Sequence, residues 1–456
     1  MNDWARDAIF YHIYPLGLCG APQQNDFCSP PVPRLAQLAD WIDHIRALGA
    51  TAVYLGPVFE SREHGYDTAD YYRVDRRLGD NGTLTELVAT LHAHGIRVIL
   101  DGVFHHVGRD FWAFRDLQEH QAESAFRAWF SGVDFSRRSP YGDPFAYDGW
   151  NGYFNLVKLN LHHPEVRAHL FGAIQQWVEQ FGIDGLRLDA ADALDQTFMR
   201  DLATFCRTLR PDFWLLGEVI HGDYRQWANP TMLDSTTNYE CYKGLFSSHN
   251  DHNYFEIAYA LNRQFGSQGI YRELPLYAFA DNHDVNRITS TLQNPAHVPL
   301  LYTLLFTMPG VPSIYYGSEW GAQGRKQADS DWSLRPSYTL DEARQYTARS
   351  ELSRTITRLA QLRQQHSVLR TGGYQQLLVA SEQFAFARAT LNEQLVVVVN
   401  AANTPVRLDI PIALPNGRRF MDLLDPQFQV TVQQGKLALG ALPAYRARML
   451  MVQGGS

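Results

Sequence analysis

The chain has 456 residues, longer than one ordinary domain and suited to a single barrel of roughly 250–400 residues with an appendage. Hydrophobic residues make up 45% and charged ones 19%, so a large core is available and global disorder is excluded. A net charge of −8, with no Lys/Arg block, leaves no excess for a nucleic-acid backbone.

The first residues carry no basic segment leading into an apolar one, and no stretch nears the roughly 18 uninterrupted apolar residues of a spanning helix. The expectation is a cytoplasmic protein with no membrane partner. Cys19, Cys28, Cys206 and Cys241 show no zinc spacing and are read as free thiols.

In chain order, apolar β-branched or aromatic runs alternate with amphipathic helical patterns, the signature of repeated βα units and a parallel sheet. Strands are predicted at residues 8–14, 52–55, 98–101, 185–189, 213–218, 232–236, 276–281 and 313–316. Eight is the number that a closed barrel requires. Helices are predicted at 34–48, 84–94, 164–180, 196–207 and 298–306, with Pro164 at a first-turn position.

The connection from Asp101 to Pro164 is too long for a simple loop and holds one predicted helix, near 119–129. It reads as a small excursion domain over the active-site face. After a helix at 350–366, short alternating strands at 375–379, 384–389, 394–400 and 446–452 indicate a separate all-β domain. The fold class is therefore α/β: a TIM (β/α)8 barrel with an excursion after its third strand and a C-terminal antiparallel β-sandwich. The boundaries are 1–104 and 164–367 for the barrel, 105–163 for the excursion and 368–456 for the β domain.

Four carboxylates end predicted strands: Asp101, Asp189, Glu218 and Asp284. Strand C-termini open into the active site of such a barrel, so the four converge on one pocket. A carboxyl pair there suits cleavage of a glycosidic bond. Arg187 and Asp189 share a strand face because side chains alternate with period two, and a neighbouring cation favours an ionised nucleophile. Glu218, on the next strand, suits the proton donor. His106 and His283 are candidate donors to sugar hydroxyls, and Tyr66 offers a flat face to a pyranose ring. The aromatic stretch 143–153, with Trp150, is where specificity is expected.

These segments resemble the ordered motifs of the α-amylase superfamily, glycoside hydrolase family 13. The motifs read Asp101-Gly102-Val103-Phe104-His105-His106, Gly185-Leu186-Arg187-Leu188-Asp189, Gly217-Glu218-Val219 and Asp281-Asn282-His283-Asp284. The resemblance implies a retaining α-glycosidase with Asp189 as nucleophile, Glu218 as acid/base and Asp284 holding sugar hydroxyls. Tyr66, His106, Arg187 and His283 would line the sugar site, with Asp101 supporting Arg187.

Val157-Lys158-Leu159-Asn160, Gly217–His221 and the Asp234…Asn238-Tyr239 segment are similar to the neopullulanase and cyclomaltodextrinase group. Through these motifs His221 joins the substrate-binding set. Ala190, after the nucleophile, resembles enzymes that cut α-1,4 bonds. The barrel begins at once, without the group's usual N-terminal domain, so a homodimer would need other surfaces. His105 stands where the family usually has a calcium-binding Asn. Imidazole is a poor ligand for that hard cation, so no metal or other cofactor is expected.

The function implied is hydrolysis of short malto-oligosaccharides or small cyclic glucans at α-1,4 bonds, with α-1,6 bonds as a second candidate linkage. The alternatives are a transglycosylase using the same covalent intermediate and, more remotely, a non-catalytic glucan-binding or transporter-associated protein.

Overall fold

The computed structural model describes residues 4–328 and 330–453. Its centre is a barrel of eight parallel strands: Phe10–Ile13 (β1), Ala52–Leu55 (β2), Arg97–Gly102 (β3), Gly185–Leu188 (β4), Trp214–Gly217 (β5), Ser235–Thr236 (β6), Tyr277–Phe279 (β7) and Val311–Tyr315 (β8). Neighbours run in the order β6-β5-β4-β3-β2-β1-β8-β7, and a parallel bridge between Thr237 and Tyr277 closes the ring.

The strands are short and almost wholly buried, as expected where both faces are covered. Period-two alternation sorts their side chains. Phe10, Ala52, Ile99, Trp214 and Tyr277 form one apolar cluster inside the barrel, where the rings of Phe10 and Trp214 stack at 5.2 Å. Ile9, Val53, Val98 and Leu215 belong to the larger cluster shared with the surrounding helices. Two positions beyond the interior residues Phe10, Ala52, Ile99 and Gly185 come His12, Tyr54, Asp101 and Arg187. The barrel interior thus turns from apolar to polar towards its C-terminal mouth, and this gradient places the site.

Two features project over that mouth. A hairpin of Phe59–Ser61 and Thr68–Val74 carries Tyr66 in its connection. The excursion after β3 contains a three-stranded sheet in which His106–Gly108 pairs with Tyr153–Lys158, and that strand with Gly149–Trp150. Its helix runs over Trp112–His120, earlier than the predicted 119–129. Ala113, Phe114 and Leu117 bury its apolar stripe, and Gln121, with φ at 51°, ends it; residues 121–123 and 127–129 form only single 3₁₀ turns.

The C-terminal domain has eight antiparallel strands. The four predicted ones are joined by Val406–Pro411, Arg419–Asp422, Gln429–Gln433 and Lys436–Leu442. Ala385, Ala387, Val396 and Val398 face the sandwich interior with Ile410 and Leu437, whereas Phe384, Phe386, Val397 and Val399 face the barrel. At that junction Arg363 and Arg388 are fully buried and bond to backbone carbonyls. Arg388 donates to Thr307 O at 2.6 Å and Gly372 O at 2.7 Å, satisfying oxygens at helix ends. All four cysteines are free. Among the described residues no helix is long and apolar enough to cross a membrane.

Candidate active site

The buried guanidinium of Arg187 organises the site. Its Nη1 donates to Asp101 Oδ1 at 2.8 Å and Asp189 Oδ1 at 2.9 Å, and its Nη2 lies 2.9 Å from Glu218 Oε2. Asp101 pairs opposite Arg187 in the β3–β4 register, which fixes that contact. Tyr54 and Tyr66 donate to the other oxygen of Asp101 at 2.8 and 2.9 Å. Asp101 therefore has both oxygens bonded inside the protein, and acts as the anchor of Arg187.

Asp189 and Glu218, just past β4 and β5, hang on the two terminal nitrogens of one cation and face each other across it. Burial pushes the Asp189 carboxyl well above the ordinary carboxylate range; Arg187 opposes this, while Glu218, Asp101 and Asp284 add to it. The single cation is divided among three carboxylates, so Arg187 does not by itself secure the ionised nucleophile that the strand pattern suggests.

Asp284 occupies the opposite wall. His283 Nε2 lies 3.0 Å from its Oδ2 and Arg335 Nη2 3.0 Å from its Oδ1. Burial would raise this carboxyl, but the charges of His283, Arg335 and Arg187 outweigh it and hold it well below the usual range. Asp284 stays ionised and can accept from sugar hydroxyls.

His106 is buried with its Nε2 4.0 Å from Asp189 Oδ2 and without a hydrogen-bond partner. Burial, then His105 and His64, push its pKa down to about 3, so the ring is neutral and its free nitrogen faces Asp189. The Tyr66 ring stacks on His283 at 5.5 Å, and its hydroxyl bonds both His283 Nε2 and Asp101. Tyr66 is thus an ordering residue of the centre as well as an aromatic face.

Trp150 reaches the site from the excursion, its ring 5.9 Å from that of His106. It sits at the tip of the Gly149–Lys158 hairpin. There Asn151 and Gly152, with φ of 48° and 83°, make the two-residue turn that Asn-Gly favours. His221 lies exposed on the loop beyond Glu218, and among the described residues no hydrogen bond ties it to the centre.

Arg335 and Tyr239 are additions to the predicted set. Arg335 follows a 3₁₀ turn, Trp332–Leu334, far from any strand end, and no local pattern marks it. It also donates to His283 O at 3.1 Å. Tyr239 opens the helix Tyr239–Asn250 after β6 and lies 3.4 Å from Glu218 Oε1. Its segment is part of a recognised motif, but with no role attached.

His105 is buried beside His106, and burial together with the Lys158 charge pushes its pKa down to about 4. A neutral imidazole beside an ammonium is an unsuitable donor set for calcium, which takes oxygen ligands. The residues present do not fit that ion.

Comparison with known proteins agrees with this geometry. A model of the α-amylase catalytic domain matches residues 34–345, and one of the neopullulanase-like C-terminal domain matches residues 374–446. A cyclomaltodextrinase of Geobacillus thermopakistaniensis is 31% identical over 92% of this chain and 73% of its own length. Neopullulanase 2 of Thermoactinomyces vulgaris is 31% identical over 97% of this chain and 77% of its own. The structure is also similar to the cyclic α-maltosyl-(1→6)-maltose hydrolase of Arthrobacter globiformis, with a TM-score of 0.81, 27% identity and 99% of both chains covered.

Proposed function

The chain belongs to the α-amylase family of glycoside hydrolases, and from that premise we propose that it hydrolyses short malto-oligosaccharides or small cyclic α-glucans with retention of anomeric configuration. The observation that carries this is Asp189 and Glu218 held on the two nitrogens of Arg187, with Asp284 kept ionised opposite.

Asp189 attacks the anomeric carbon while the glycosidic C–O bond breaks, and Glu218 gives its proton to the departing oxygen. The reaction needs the proton on Glu218 and Asp189 ionised when the substrate arrives. Glu218 then takes a proton from water, which displaces Asp189 from the glycosyl-enzyme. Asp284 holds ring hydroxyls, and Arg187 stays within reach of both reacting carboxylates throughout. His106 offers its free nitrogen beside the attacking oxygen.

Trp150 brings an aromatic ring from the excursion to within 5.9 Å of His106, where it can contact a bound sugar and bear on which short or cyclic chains fit. Residues 105–106 and 158 support a site that works without calcium. Likeness to an intracellular maltogenic amylase of Bacillus subtilis supports an intracellular setting.

The test is a chromatographic time course on maltotriose, a cyclomaltodextrin, panose and cyclic maltosyl-maltose. Shorter sugars alone are the expected products. Products longer than the starting sugar would make the enzyme a transglycosylase, and no turnover of any would remove the reading.

A further inference from the structure

Glu218 is held asymmetrically. Its Oε2 receives two donors, the Arg187 guanidinium at 2.9 Å and the Ala190 N–H at 3.1 Å. Ala190 reaches it from a left-handed conformation, φ 45°. An oxygen with a cation and an amide N–H on it is a poor place for a proton. The transferable proton therefore belongs on Oε1, whose neighbour is the Tyr239 hydroxyl at 3.4 Å.

The direction of that contact is set from behind. Asn282 Oδ1 accepts from the backbone N–H groups of Asp284 at 2.8 Å and Val285 at 3.2 Å, which fixes the amide flip. Its Nδ2 must then point at Tyr239, and it donates to the hydroxyl oxygen at 3.2 Å. With that oxygen engaged as an acceptor, the phenolic hydrogen is left for Glu218. Burial, and then the charges of Glu218 and Asp284, push the phenol well above its ordinary range, so this hydrogen stays on Tyr239. The ring is immobilised edge-on against Phe279 of β7 at 5.0 Å, and the helix it opens is capped by Asn238.

We propose that Tyr239, oriented by Asn282, is a positioning residue for the acid/base: it aims Glu218 Oε1 at the departing oxygen and supports the carboxylate once the proton has gone. The proposal rests on the hydrolytic reading of the same site. In the step concerned, the glycosidic C–O electron pair goes to the leaving oxygen, which takes the proton from Oε1 as a bond forms between Asp189 and the anomeric carbon. Tyr239 keeps its own proton and contributes only the hydrogen bond, which is long in the resting site and shortens as charge develops on Oε1.

The experiment compares Tyr239→Phe with the unaltered enzyme on maltotriose, whose leaving alkoxide needs a proton, and on α-maltosyl fluoride, whose fluoride leaves with little assistance. The expected result is a kcat on maltotriose reduced by about tenfold or more, with the fluoride rate within about twofold. Asn282→Leu should lower the maltotriose-to-fluoride ratio in the unaltered background but not on top of Tyr239→Phe. Equal losses on both substrates, or no loss, would overturn the proposal. An unaltered enzyme inactive on both would instead remove the hydrolytic reading on which it stands.

Discussion

Arg335→Ala tests whether Asp284 must be held ionised for the site to work. Arg335 makes a charge-assisted hydrogen bond to Asp284 at 3.0 Å, a bond to His283 O at 3.1 Å, and lies over the Tyr14 ring at 4.5 Å. A bond of that kind contributes roughly 1.5–3 kcal/mol. The Asp284 side chain keeps 32% of its surface open to the cleft, so solvent screens part of it. The expected loss is about 1–2 kcal/mol in transition-state binding, roughly a fivefold to thirtyfold fall in kcat/KM.

The pH dependence has a definite sign. A depressed carboxyl supports activity above its pKa and loses it as pH falls through that value. Removing Arg335 takes away one of the charges that depress Asp284, so the loss of activity on protonating Asp284 moves to higher pH, towards the limb that Asp189 sets. Arg335→Lys keeps a charge but cannot span both partners, and should fall between the two. The assay is kcat/KM on maltotriose across the acidic and neutral range. A kcat/KM within twofold of the unaltered enzyme in Arg335→Ala would refute the reasoning.

Asp189→Asn should cut turnover by roughly a thousandfold or more while circular dichroism and melting temperature stay close to the unaltered protein; near-normal rates would remove it as nucleophile. Trp150→Ala should raise KM for cyclic or branched glucans by about fivefold, the loss of one stacking contact, with an aryl maltoside little affected; equal losses on both would place Trp150 in the chemistry instead. Arg388→Met leaves Thr307 O and Gly372 O without donors at the domain junction, for a stability loss of about 2–5 kcal/mol in urea unfolding. Treatment with EDTA should change neither activity nor melting temperature, and loss reversed by calcium would locate an ion the His105 argument excludes.

What the sequence displays of this site is what a strand can display. Period two carries Ile99 to Asp101 and Gly185 to Arg187, and the barrel mouth then brings together carboxylates whose order along the chain is already visible. The C-terminal strand Val406–Pro411 has the same alternation, with Leu408 and Ile410 buried between exposed neighbours, but it is short and interrupted by a register shift. The excursion helix is hidden for another reason. Its apolar stripe is only Ala113, Phe114 and Leu117, and Phe114 packs on aromatics of the surrounding loop, so periodicity alone does not locate the 112–120 boundary.

The residues that set the charge balance are less visible still. Arg335 and Tyr239 come from an irregular turn and a helix start, and only the closed barrel brings them to Asp284 and Glu218. That difference changes the chemistry inferred. Read along its strand, Arg187 looks like a private counter-ion for Asp189; in three dimensions it serves Asp101, Asp189 and Glu218 together. One cation among three carboxylates leaves Asp189 above its ordinary range, and retaining hydrolysis needs Asp189 ionised and Glu218 protonated when the substrate arrives. Asp284 is held out of the competition by His283 first and then Arg335, and the two donors on Glu218 Oε2 leave Oε1 for the proton. The positions of the acids are therefore a property of the strands, and their protonation is a property of the loops.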